Sequence, residues 1–302
     1  MEKISICSDL VMVFLIIIII VVFAYKSNYL ENFEQNKYPI KKVAPQVKFN
    51  STASIAFVYF YTPNIFSYAK HSLLNILSYA EKYNYAVIIY DTPFNDHISM
   101  CWNKIATIIE NLKNYKYLVW IDADAIIINN SIKIESFIEK YPNYDLYLCE
   151  DIIVQKECIN SGVMIIKNTN WTNELFNRVW NSPFPHAHND QNVIYYEIVK
   201  DLYPHSKPNL KFSSYCGKIT HPKVKILPEN AFNTHILNYN KGDFIIHLMG
   251  AKEQVRIDIM RQINTKLGLD NYTKNDCVGI INLTNNSDRI YEVEKNCLGL
   301  YN

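Results

Sequence analysis

Apolar positions in this chain come in bunches, and the length and spacing of those bunches carry most of the fold. The longest is Leu10–Ala24, fifteen residues without a polar side chain, including five consecutive isoleucines. At about 1.5 Å per residue this run reaches about 22 Å as a helix. A hydrocarbon core is about 30 Å thick, so a span would recruit Ile4–Asp9 or Tyr25 and Lys26. The run ends in Val22, Phe23, Ala24, Tyr25 and Lys26 without a small-x-small cleavage pattern, which favours a retained signal anchor over a cleaved signal peptide. A buried helix is the poorer alternative, because this terminus has nothing near it in sequence to pack against.

The next stretch, residues 26–50, is polar, holds two prolines and keeps no apolar period, as expected of a stem or linker. From residue 51 onward, short apolar runs of strand length alternate with helical stretches. The strand runs are Ile55–Tyr61, Ala86–Tyr90, Tyr117–Ile121, Leu146–Cys149, Gly162–Ile166 and Phe244–Leu248. The helical stretches include Ala69–Tyr83, Cys101–Leu112 and Trp171–Trp180. Strands alternating with helices imply an α/β fold around a largely parallel sheet, in which ligands sit at the carboxyl ends of strands. The positions of interest are therefore those where an apolar run meets its first polar side chain.

The sharpest such junction is YLVWIDADAIIIN, where Tyr117–Ile121 runs into Asp122 and Asp124 and apolar character then resumes. In extended chain, residues i and i+2 project to one side, so the two carboxylates converge while Ala123 faces away. Like charges that close cannot both ionise cheaply without a cation, and a hard divalent ion with oxygen ligands supplies one. The alternative is a turn with two solvated aspartates, which the flanking Trp120, Ile121 and Ile126–Ile128 oppose. A second junction, FIIHLMGAK, offers His247 as a further metal ligand. It also offers Gly250 for close backbone approach to a phosphate and Lys252 to neutralise a leaving diphosphate. Taken alone, a histidine after a strand is more often a hydrogen-bonded core residue. Between these junctions, Asn160, Ser161, Asp190 and Gln191 are candidate partners for sugar hydroxyls. Asn189, Asp190 and Gln191 equally suit the start of the helix that follows them.

Composition narrows the chemistry. Only seven of 302 residues are glycine, and neither G-x-G-x-x-G nor G-x-x-x-x-G-K-S/T occurs, so no Rossmann turn or P-loop is available to cradle a diphosphate. A bound nucleotide must be held by a metal or by side chains. A formal charge of +1, evenly mixed, gives no basic field for nucleic acid. Orientation across a membrane stays open. Lys26, Lys37, Lys41 and Lys42 after the apolar run favour a cytosolic catalytic part, whereas sequons at Asn50, Asn129, Asn170, Asn271, Asn282 and Asn285 favour a glycosylating lumen. The seven cysteines permit disulfides without demanding them.

Taken in order, NILSYAEKYNYAVIIY, the W-x-K of Trp102 and Lys104, WIDADAIIIN, NSGVMIIKNTNW, NDQNV and HLMGAK resemble glycosyltransferase family 34, over about residues 55–255. The family comprises galactosyl-, mannosyl- and xylosyltransferases of the secretory pathway. The resemblance implies a GT-A (nucleotide-diphospho-sugar transferase) fold, with a mixed, mostly parallel central sheet flanked by helices and preceded by one N-terminal transmembrane helix. It also implies type II membrane topology with Golgi or secretory-pathway residence, Mn2+ dependence, and transfer with retention of configuration. Carried over by motif, Asp122, Asp124 and His247 become metal ligands. Asn160, Gly162, Gly250, Lys252 and Lys104 become donor contacts, with Lys252 also assisting departure of the diphosphate. Asp190 and Gln191 lie beside the reactive carbon, and Asp151 falls at an acceptor contact. The chain departs from many members at Asn189, where a second acid often stands, and at Ser161.

The domain organisation expected is a tail at 1–9, a signal anchor at 10–25, a stem at 26–50, a catalytic domain at 51–262 and an extension at 263–302. The expected partners are a UDP- or GDP-sugar donor, a glycan acceptor and the membrane, with no nucleic acid; homo-oligomerisation stays open. Two other readings compete. A haloacid-dehalogenase-type phosphatase also places D-x-D after a hydrophobic strand, but here the motif does not open the domain and the later G-D-x-x-x-D is missing. A non-catalytic glycan-binding relative would keep the motifs without the reaction.

Overall fold

The structure, a computed structural model, describes residues 38–96, 98–151, 158–182, 190–203, 219–269 and 291–292. The expected signal anchor, residues 26–37 of the expected stem, Asn189 and residues 270–290 and 293–302 of the expected extension lie outside the described residues. No helix among the described residues is long and apolar enough to cross a membrane.

Strands β1 (Val47–Phe49), β2 (Ile55–Phe60), β3 (Ala86–Tyr90), β4 (Tyr117–Ile121), β6 (Leu146–Asp151), β7 (Cys158–Lys167), β8 (Val224–Leu227) and β11 (Tyr291–Glu292) form one sheet in the order β11-β1-β3-β2-β4-β7-β6-β8. Its centre, β3-β2-β4, is parallel. Every residue of these three strands is buried, and they read as unbroken apolar runs because helices cover both faces. Phe57, Tyr59, Val87, Ile89, Val119 and Ile121 share one cluster with Leu73 and Leu77 of α1 (Phe66–Tyr83) and Met260 and Ile263 of α6 (Glu253–Lys266). The alternate residues face the side where α2 (Asn103–Leu112) contacts β2 and β4, with α4 (Asn170–Trp180) beyond it.

The sheet is mixed and mostly parallel, as expected, with β1–β11 and β6–β8 parallel as well. β7 is antiparallel to both β4 and β6, and β1 is antiparallel to β3. Only residues 152–157 separate β6 from β7, and a parallel crossover needs about a dozen residues or more. β1 falls inside the stretch read as a linker, and α6 runs past residue 262, where the catalytic domain was expected to end.

A second, three-stranded sheet positions the site: β5 (Ala125–Ile127), β10 (Ile245–His247) and β9 (Thr234–His235), in the order β5-β10-β9. β10 runs antiparallel to β5, with His247 opposite Ala125. The chain crosses from the large sheet to the small one through Asp122–Ala125. These residues form a turn, in which the Ala125 N–H donates to the Asp122 carbonyl at 2.9 Å. The expectation that Asp122 and Asp124 converge through extended geometry is therefore corrected: the turn brings them together. Two further α-helices among the described residues are α3 (Ile134–Lys140) and α5 (Asp190–Leu202), the latter packed on α4 and β7.

Candidate metal and donor site

Three backbone bonds fix the turn. The Asp122 N–H donates to the Gly162 carbonyl at 2.7 Å, which extends the β4–β7 ladder by one position. The Leu248 N–H donates to the Asp124 carbonyl at 2.8 Å, and the turn's own bond lies between them. The two aspartates are thus held at the edges of two different sheets, and β10 delivers His247 between them.

One ligand atom from each of Asp122, Asp124 and His247 lies within 4.8 Å of the others. His247 Nε2 is 3.0 Å from Asp124 Oδ1 and 4.0 Å from Asp122 Oδ2. Two carboxylates and an imidazole converging on one point are a donor set suited to a hard or borderline divalent cation. Burial and neighbouring charges shift the three groups differently. Burial raises the Asp122 pKa, and Asp124 and Asp190 push it further, against Lys104 and His247. Burial would also raise that of Asp124, but His247 and Arg256 outweigh it and hold the carboxyl at about 2. For His247 burial works against protonation, yet Asp124 and then Asp122 win and raise its pKa above the ordinary histidine value. Nε2 and the Asp124 carboxylate thus face each other where a metal could sit.

Beneath the carboxylates lies Lys104, with only 5% of its side chain exposed. Its Nζ is 2.8 Å from Asp190 Oδ2 and 3.1 Å from Asp122 Oδ1, and it donates to the Ser161 carbonyl at 3.1 Å. Burial alone would lower the lysine pKa; Asp122 and Asp190 overcome that and hold the ammonium charged. Lys104, expected among the donor contacts, bridges a metal-group carboxylate to the carboxylate that opens α5. Asp190 also accepts from Ser161 Oγ at 2.9 Å. Gln191 accepts from the Ser161 N–H at 3.1 Å and donates to Asp151 Oδ2 at 3.2 Å, and Asn160 Nδ2 donates to the same oxygen at 3.3 Å. Asp151, Asn160, Ser161, Asp190 and Gln191 are therefore one connected group beside the three ligands.

Gly162 lies directly against the His247 ring. A Cβ there would lie 2.1 Å from Cε1 of His247 and 2.6 Å from its Nδ1, so the residue makes room for the imidazole. Gly250 takes a φ of 73°, in the left-handed region, and the chain turns there into α6. Lys252 follows, exposed, at the N-cap of that helix.

Two residues of the site escaped sequence reasoning. Arg256 sits one helical turn beyond Lys252, with its Nη2 2.9 Å from Asp124 Oδ2 and its guanidinium 4.9 Å from the Tyr68 ring centre. Its spacing of four from Lys252 was the available signal. Asn233, fully buried, accepts at 3.0 Å from His247 Nδ1. A single asparagine between Phe232 and Thr234 carries no signal of that kind in sequence.

Fold and site together define a mixed α/β protein matching the GT-A arrangement, with an Asp-Asp-His group able to hold a metal. The family described as "Protein of unknown function, DUF273" matches over residues 76–267, and the chain belongs to it. A curated relative, described as a probable alpha-1,2-galactosyltransferase of Schizosaccharomyces pombe (strain 972 / ATCC 24843), is 25% identical over an alignment of 232 residues that covers 64% of this chain and 63% of that protein. The chain thus spans under two thirds of that relative's length. Among solved structures, a glycosyltransferase involved in the glycosylation of the major capsid of PBCV-1 aligns with a TM-score of 0.53 at 16% identity, over 69% of this chain and 98% of that one. That likeness concerns the fold.

Proposed function

We propose that this protein is a divalent-metal-dependent glycosyltransferase, of the kind grouped in family 34, that moves a sugar from a nucleotide-diphosphate sugar to a glycan acceptor with retention of configuration. The observation that carries the reading is the convergence of Asp122, Asp124 and His247 within 4.8 Å at the ends of strands from two sheets. The similarity to a probable galactosyltransferase supports the same reading. When bound there, Mn2+ would supply Lewis-acid stabilisation to the departing nucleoside diphosphate.

The chain's own groups do the rest. Gly250 and Lys252 sit at the start of α6, where backbone N–H groups and an ammonium can meet the diphosphate. Asp190, held by Lys104 and Ser161, and Gln191, held by Ser161 and Asp151, face the sugar. An amide is a poor nucleophile, so Gln191 shields the back of an oxocarbenium-like centre while the acceptor hydroxyl attacks from the leaving-group side. Fixed charge and fixed dipoles do most of the work. Cys158 is disulfide-bonded, which together with the sequons supports residence in the secretory pathway with the catalytic domain in the lumen. The apolar run at Leu10–Ala24 would anchor it there as a type II protein.

The test is a Mn2+-supplemented hydrolysis screen across UDP- and GDP-sugars, with Asp124→Ala as the control. The expected result is turnover of one donor class, lost in the variant. No turnover, or turnover indifferent to the substitution, would sink the proposal; phosphate released from simple phosphoesters would favour the phosphatase reading.

A further inference from the structure

Asn233 stands between the proposed ligand His247 and Asn160, and the orientation of its amide can be deduced. The deduction starts from two atoms whose hydrogen-bonding roles cannot change. The Gly162 N–H is an obligate donor and lies 2.8 Å from one terminal atom of the Asn160 amide, so that atom is the oxygen. The other terminal atom lies 3.3 Å from Asp151 Oδ2, an acceptor, and so is the nitrogen. Asn233 approaches the Asn160 oxygen at 2.7 Å and must do so through its own NH2 group. Its oxygen therefore points the other way, 3.0 Å from His247 Nδ1. An oxygen acceptor at that distance requires Nδ1 to carry hydrogen, which leaves Nε2 as the nitrogen that takes a cation. Nε2 is the atom 3.0 Å from Asp124.

We propose that Asn233 is a positioning residue that selects the metal-binding form of His247, through a relay of amides running from the Gly162 N–H through Asn160. The inference rests on the metal reading above and adds what makes the imidazole present Nε2 rather than Nδ1. The relay is buried throughout, so no water competes for the Nδ1 hydrogen: Asn233 is wholly inaccessible, and Asn160 and His247 are each 4% exposed. Gly162 serves both ends, since its N–H fixes Asn160 and its missing Cβ admits the ring. Outer hydrogen bonds of this type fix ring orientation and raise ligand basicity, and their loss costs about 10–100-fold in metal affinity.

Two variants separate the acceptor role of Asn233 from a structural one. Asn233→Asp keeps an oxygen facing Nδ1 but loses the NH2 that reaches Asn160; Asn233→Leu loses both. Mn2+ titration by calorimetry is expected to give near wild-type affinity for Asn233→Asp and a loss of about 10–100-fold for Asn233→Leu. Asn233→Ala stands in for the leucine variant if circular dichroism shows that one unfolded. Equal losses in both variants, or none in the leucine or alanine variant, overturn the proposal while leaving the metal site standing. Absence of Mn2+ binding by the wild-type protein overturns the metal reading and this proposal with it. In wild-type protein labelled with 15N-histidine and loaded with 113Cd2+, coupling is expected to Nε2 of His247; coupling to Nδ1 refutes the relay.

Discussion

Lys104 and Asp190 are joined by an ion pair of 2.8 Å with both side chains almost wholly inaccessible, and the same ammonium reaches Asp122 at 3.1 Å. One buried cation therefore balances a carboxylate of the metal group and the carboxylate that opens α5. Replacing it leaves one buried and one half-buried anion short of compensation. Lys104→Met is expected to destabilise the metal-free protein by about 3–5 kcal/mol, the usual cost of breaking a buried pair from one side. Urea unfolding with and without Mn2+ checks this: added cation should restore part of the loss, because it neutralises Asp122 from the other side.

Gly162→Ala drives a methyl group into the His247 ring, whose Cε1 would lie 2.1 Å away. The neighbour is a hydrogen-bonded imidazole between two sheets, so relief requires the ring to leave its place. Overpacking of this kind costs about 1–3 kcal/mol. Thermal unfolding should record that modest loss, whereas Mn2+ binding should fall below detection.

Arg256 lies against Asp124 at 2.9 Å and would stand close to any cation the aspartate holds. Its charge opposes a bare metal and welcomes a diphosphate. Arg256→Gln is therefore expected to strengthen Mn2+ binding and weaken binding of a nucleoside diphosphate, each by about tenfold, equivalent to about 1.4 kcal/mol. Calorimetric titrations with each ligand decide it; a change of the same sign in both would refute the assignment.

Protons compete with metal at His247. Its pKa in the metal-free site is raised, chiefly by Asp124 against the effect of burial, whereas Asp124 itself, held at about 2, stays ionised throughout the neutral range. Mn2+ affinity should fall as pH drops below the histidine pKa, by up to about tenfold per pH unit for one displaced proton, and level off above it. The stability effect in metal-free protein has the opposite sense. A raised folded-state pKa stabilises fully below the unfolded value of about 6.5, and that contribution is lost as pH rises through the folded one. His247→Gln should flatten both profiles.

Much of this site was legible because a fully apolar strand that ends in two carboxylates is a costly pattern, and the Tyr117–Ile121 strand lies where its hydrophobicity placed it. The same holds for Ala86–Tyr90 and for the helix ending at Tyr83. The small sheet was not legible as a sheet, since β5 and β10 have three residues each and β9 has two, too few to show a period. Alternating elements suggested a largely parallel sheet, and the short link from β6 to β7 sets one of its antiparallel pairs. That link could have been counted from sequence. Asn233 and the under-site position of Lys104 depend on contacts across 73 and 57 residues, which no local pattern encodes.

His247 meets Asp124 across 123 residues, on the central strand of the small sheet, between β5 and β9. A nascent chain that has emerged only as far as the D-x-D has two aspartates and no centre. On the proposed reading, cation affinity would for that reason certify completed folding, and intermediates that already possess the large sheet would still be blind to Mn2+.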